Sequence, residues 1–298
     1  MSNANQASYT LAAAQMALTE NVENNRSKVL DAIAEAADNG ASVICLQELC
    51  TTPYLCQVED ARLFDLAEPI PGPTTEAVAH VAKDKNIAVV VPLFEKRAPG
   101  LYHNSIAMIG RDGALLGVYR KMHIPDDPGF YEKYYFTPGD LGFRMFDAAP
   151  GKIGTLICWD QWYPEAARLT ALQGAEVLVY PTAIGWHPAE KEQYGDQQHD
   201  AWRTIQRGHA IANGVFVAAV NRIGLEKPDP QAPGIEFWGR SFICDPFGVV
   251  LAEATSDQEE ILYAEIDPSR IEDVRRNWPF LRDRRIDAFG GVTQRYSS

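Results

Sequence analysis

The chain has 298 residues, 46% of them hydrophobic, and a formal charge of −13 at pH 7. That length allows one sizeable α/β domain, and the acidic balance disfavours nucleic acid or an anionic membrane as partner. No apolar run approaches the roughly 20 residues of a membrane span, and the opening MSNANQASYT lacks a basic start ahead of an apolar stretch, so no secretion signal is read and a cytosolic location is expected.

Residues 9–17 read as a strand, and 22–39 as an amphipathic helix with Val22, Arg26, Val29, Ile33 and Ala37 at helical spacing and Asn39-Gly40 as its stop. Residues 41–48 form a buried strand ending in a carboxylate; Cys45 within it reads as a small buried hydrophobe. A helix over 74–85 and a strand over 86–96 follow. Strands at 105–110 and 115–121 flank Arg111-Asp112-Gly113, a hairpin signal. The spacing then gives a strand at 152–160, a helix at 163–174, a strand at 175–183, a helix at 198–213 and a strand at 214–222. A Pro/Gly-rich loop is expected over 224–239, a hairpin over 241–254 and a last strand over 261–267.

This alternation, with two antiparallel hairpins, fits a mixed sheet or two stacked sheets with helices outside. No boundary divides the chain, so residues 1–298 read as one domain. The Arg-rich stretch 268–298 has no evident core partner and is expected to pack on a neighbouring subunit as an oligomerisation arm. Five cysteines (Cys45, Cys50, Cys56, Cys158 and Cys244) without a secretion signal point to free thiols.

Three expected strand ends carry side chains that could do chemistry. Cys158 precedes a turn into a helix, where a nucleophile gains access and backbone N–H groups can face an oxyanion. Glu48 and Lys121 close two other strands. Read singly, each has a plainer alternative: a buried strand cysteine, a solvated or salt-bridged acid, a solvated lysine. Together they form a base, a cation and a nucleophile at the ends of sheet strands, where α/β proteins place ligands.

The flanks make the case specific. ICLQEL around Glu48, YRKMHIP around Lys121 and GTLICWDQWYPEAAR around Cys158 resemble the three signature boxes of the carbon–nitrogen hydrolase (nitrilase) superfamily, in the same order. The AQM, PGP, HNSIAMIGRDG and FWGRSFICDPFG segments extend the resemblance over roughly residues 9 to 270. The resemblance implies a four-layer αββα sandwich, Glu48 as general base, Cys158 as nucleophile and Lys121 as the cation beside the tetrahedral intermediate. It implies further that the Trp159 N–H completes the oxyanion hole, that Glu132 positions the substrate amide and the water, and that no metal or organic cofactor takes part. It also implies a homo-oligomer.

Within the superfamily, branches that act on N-carbamoyl amino acids place an arginine soon after the cysteine, to clamp a carboxylate. Here those positions hold Gln161 and Trp162, and the next arginine is Arg168. The substrate expected is therefore a small cationic carbamoylated amine. Its ammonium end is sought among Tyr54, Asp160 and Trp186, with Glu190, Glu192 and Asp196 as further acids, and Gln161 is expected to contact substrate as well. His123 is expected to be structural, and His187, His199 and His209 do not space as a metal set.

Overall fold

The computed structural model describes residues 7–296. The opening MSNANQ, read above for a targeting signal, and the last two residues of the C-terminal arm lie outside the described residues. The run Leu11-Ala12-Ala13-Ala14 has no polar alternation, which suits a strand covered on both faces. It lies in β1 (Tyr9–Gln15), and its two faces part: Leu11 and Ala13 join the packing between two sheets, Ala12 and Ala14 that beneath helices.

After β1 come α1 (Val22–Asp38), β2 (Val43–Cys45), α2 (Pro73–Lys85), β3 (Ala88–Ala98), β4 (Leu101–Ile109) and β5 (Leu115–Arg120). A single helical turn, α3 (Glu132–Tyr135), leads into β6 (Arg144–Asp147), β7 (Lys152–Thr155), α4 (Pro164–Leu172), β8 (Val177–Pro181), β9 (Gly185–Trp186) and α5 (Lys191–Asn213). The chain closes with β10 (Phe216–Val220), β11 (Ile223–Glu226), β12 (Ile235–Trp238), β13 (Phe242–Cys244), β14 (Val250–Glu253), β15 (Glu260–Ile266) and α6 (Pro268–Asn277).

Two six-stranded sheets face each other, ordered β15-β1-β2-β3-β4-β5 and β14-β13-β10-β8-β7-β6. Each has three parallel strands at its centre, β1-β2-β3 and β7-β8-β10, with antiparallel strands outside. Val43, Cys45, Val90 and Ile106 of the first sheet meet Ile153, Val177 and Ala218 of the second. Behind the first sheet Val29, Ile33 and Val78 of α1 and α2 cover Ile44, Val89 and Ala107. Ala166, Trp202 and Ala210 of α4 and α5 join the core from the far side of the second. The layers therefore read α-β-β-α, and Cys45 is fully buried between the sheets. All five cysteines are free and buried.

One expectation is corrected. Residues 224–239 are not a loop throughout. β11 and β12 pair antiparallel within them, and β12 adds β9 through Glu236↔Trp186, giving a third, small sheet. The helix expected over 198–213 also starts earlier, at Lys191. In the C-terminal stretch α6 is followed by a 3₁₀ segment at Ile286–Thr293.

Candidate active site

β2 and β5 run the same way in the first sheet, because two antiparallel pairings separate β3 from β5. The chain just beyond their carboxyl ends carries Glu48 and Lys121, both fully buried. Lys121 is fixed by its backbone: its N–H donates to the Asn104 carbonyl at 2.9 Å, and its carbonyl accepts from Gly139 at 2.8 Å. Only glycine fits there, since a Cβ on Gly139 would stand 2.1 Å from the Arg120 oxygen.

Cys158 lies beyond β7 in the second sheet, on a 3₁₀ turn, Cys158–Trp162. Its φ of 40° is left-handed, a conformation that costs a non-glycine residue about 1–3 kcal/mol. Asp160 supports the strained turn. Its Oδ2 accepts from Ile157 N at 2.9 Å and from the Tyr119 hydroxyl at 2.6 Å. Its Oδ1 accepts from His123 N at 3.1 Å and lies 2.7 Å from His123 Nδ1. The His123 ring stacks on Tyr163 at 3.7 Å, the structural role expected of it.

The three side chains converge with Glu132, the first residue of α3. Lys121 Nζ donates to Glu48 Oε1 at 2.8 Å and to Glu132 Oε2 at 2.6 Å, and the Cys158 sulfur lies within electrostatic reach of all three. Two carboxylates against one ammonium leave about one negative charge in an apolar setting, and each group answers to it. Burial pulls the lysine pKa down, but Glu132, Glu48 and the Cys158 sulfur together outweigh that and hold it well above the ordinary value. Burial pushes Glu132 up to about 7, against the pull of Lys121. Burial, then Glu48, pushes the Cys158 thiol well up, while Lys121 and the Ala183 backbone N–H draw it down. The raised pKa favours the thiol form, so the nucleophilic role expected of Cys158 would call on a nearby base to take its proton.

The geometry suits Glu48 to that expected role. Its Oε1 accepts from both Asn104 Nδ2, at 2.7 Å, and Lys121. Its Oε2 is buried with no hydrogen-bond partner among the described residues. The occupied oxygen fixes the carboxylate, and the free oxygen can receive a proton.

A cavity of about 540 Å³ opens onto this cluster. Glu132 and Cys158 form its buried end; Phe130, Trp159, Trp162 and Trp238 are among its walls. Asp127 and Glu190 line its exposed end with His187 and Gln198, and the lining holds no arginine or lysine.

Of the residues sought for substrate contact, Glu190 lines the cavity and six others do not; Trp159, expected at the oxyanion hole, lines it too. Asp160 is fully buried, with both oxygens engaged in holding the cysteine turn. Gln161 is also fully buried, accepting from Trp202 Nε1 at 2.9 Å. Tyr54 sits behind Glu132, its hydroxyl donating to Oε1 at 2.8 Å. Trp186 backs Trp238, their ring centres 5.4 Å apart, and the Lys191 ammonium already lies 4.7 Å from its ring. Glu192 and Asp196 are exposed outside the lining. Asn104 and Asp127 were missed; Asn104 stood within the HNSIAMIGRDG segment, where its polar side chain in an apolar strand was the available signal.

Residues 10–276 match the family model described as carbon–nitrogen hydrolase. N-carbamoylputrescine amidase of Solanum lycopersicum is 44% identical over 94% of this chain and 93% of its own. Citrullinase of Francisella tularensis is 40% identical over 97% of this chain and 100% of its own. The crystal structure of a carbon–nitrogen hydrolase from Helicobacter pylori G27 superposes with a TM-score of 0.94 and 46% identity, covering 98% of this chain and 100% of that one.

Proposed function

We propose that this chain, which belongs to the carbon–nitrogen hydrolase family, hydrolyses N-carbamoylputrescine to putrescine, ammonia and carbon dioxide. The observation that carries the reading is the cavity. Its buried end presents a thiol beside a base and an ammonium; its exposed end presents the carboxylates of Asp127 and Glu190 and no basic clamp. A ureido head fits the first and a distal ammonium the second. The identity to the tomato amidase supports the same substrate.

In this reading Glu48 Oε2 takes the thiol proton as the Cys158 sulfur adds to the ureido carbon. Lys121 and the Trp159 N–H hold the developing oxyanion, and Glu132 orients the amide. The tetrahedral intermediate collapses by breaking the bond to the terminal nitrogen, which leaves as ammonia with the proton from Glu48. An N-alkyl thiocarbamate remains on Cys158. Water, losing its proton to Glu48, adds to that carbon and expels the sulfur, which regains the proton. The released carbamic acid breaks down to carbon dioxide and putrescine. The free thiols fit a reducing compartment, so we place the reaction in the cytosol. Among the described residues no helix is long and apolar enough to cross a membrane.

Citrulline is the second reading, favoured by the relative from Francisella tularensis. It carries the same ureido head and an ammonium the same number of bonds away, with a carboxylate added. The two substrates thus differ at the exposed end, where that carboxylate would face Asp127 and Glu190. Ammonia release should be measured from N-carbamoylputrescine, citrulline and N-carbamoyl-β-alanine. The first should lead in kcat/KM by about tenfold or more, since the citrulline carboxylate would be set against like charges. A lead by citrulline would reverse the assignment, and turnover by Cys158→Ala would end the mechanism.

A further inference from the structure

We infer that Arg222 is a positioning residue for the general base, acting through the backbone that carries Glu48. The inference rests on the reading of Glu48 as the base. Arg222 follows β10 in the second sheet, and its side chain is 0% exposed. Nη2 donates to the Glu48 carbonyl at 2.6 Å and the Leu49 carbonyl at 3.2 Å; Nη1 donates to the Thr52 carbonyl at 3.4 Å. Its counter-ion is Glu226, 2.8 Å from Nη1, whose other oxygen accepts from Tyr54 N at 2.6 Å. The flat head lies against Phe237 and Tyr54, 5.3 and 5.9 Å from the ring centres.

One cation of the second sheet thereby gathers the loop that the first sheet uses to present its base. The loop needs holding, because Leu49, directly after Glu48, is left-handed at φ 50°. The reach extends to the other acid: Tyr54, tied through Glu226, donates its hydroxyl to Glu132. Both carboxylates that flank Lys121 are thus referenced to Arg222, although its own hydrogen bonds go to backbone carbonyls and to Glu226. A lysine could keep the charge and the ion pair, but a single ammonium lacks the planar fork that spans separate carbonyls.

The test is Arg222→Lys, studied well below its melting temperature. Expected is a fall in kcat of about a hundredfold, the scale of a misplacement near 1 Å, with KM kept within about threefold. Iodoacetamide labelling of Cys158, followed by mass spectrometry, should slow about tenfold or more at neutral pH and recover at high pH, where hydroxide replaces the base. A folded Arg222→Lys protein with the parent's kcat and labelling profile overturns the inference. So does one that loses melting temperature alone. If the variant does not fold, Glu226→Gln decides: kcat about tenfold lower with labelling displaced the same way supports the role, and no change in either refutes it. Glu48→Gln measured alongside separates the two readings. If it keeps turnover and neutral-pH labelling, the base assignment fails; if it is inactive while Arg222→Lys is normal, only the inference about Arg222 fails.

Discussion

Glu132, within its buried cluster, is expected to give the site a pH dependence. Burial lifts its carboxyl to about 7, so it is neutral in acid and ionised in mild base. If it serves as an ionised acceptor for the substrate amide, kcat/KM should fall as pH drops below about 7, and the limb belongs to the buried carboxylate–lysine cluster rather than to one residue. Stability runs the other way. A carboxyl raised by folding contributes stability that is full below its unfolded value, about 4.3, and is lost as pH rises through about 7. Glu132→Gln should flatten the limb and lose about a hundredfold in kcat/KM at pH 8; a limb that survives the substitution belongs elsewhere. The candidate set of Glu48, Lys121 and Cys158 could be picked out because each interrupts or closes an apolar strand in a recognisable setting. Arg222 was not, because an arginine after an apolar strand looks the same whether it meets solvent or three carbonyls.

The cysteine turn explains why Asp160 was misplaced. An acid two residues after the nucleophile can face the cavity or fold back on its own strand, and spacing does not distinguish them. Here it folds back, onto Ile157 N, Tyr119 and His123. Asp160→Asn should therefore lower kcat about tenfold or more and leave KM within about twofold, whereas a substrate-binding acid would chiefly raise KM. Tyr119→Phe removes one of the donors to Asp160 and should cost about 1–3 kcal/mol, a melting shift of a few degrees by calorimetry. The small third sheet was missed for a related reason. Its strands are four residues or fewer, and Lys227-Pro228-Asp229-Pro230 between β11 and β12 carries the composition of a loop. That sheet nevertheless supplies Gly185 and Trp238 to the cavity wall.

At the scale of the molecule, the C-terminal segment is unfinished as a surface. Trp278, Phe280, Ile286 and Val292 are 55%, 43%, 74% and 58% exposed, on a stretch that also holds Arg282, Arg284 and Arg285. We propose that a second copy covers it, since a basic apolar segment suits a body whose charge is −13. Light scattering should give a multiple of 33.0 kDa, and a chain ending at Asn277 should lose that assembly; a monomer at working concentration would refute the proposal.

The sandwich itself has a bearing on the life of the chain before it is finished. Glu48 and Lys121 come from one sheet and Cys158 from the other, so the interval between sulfur and base is set by the thickness of the apolar filling between them. During synthesis the first sheet's central strands emerge before the residue that would attack, and that residue emerges as an unassisted thiol. In the proposed mechanism reactivity arises only once the two sheets close, and by then the sulfur faces a walled cavity. On that mechanism an electrophile would meet the activated thiol by the same entrance as the substrate.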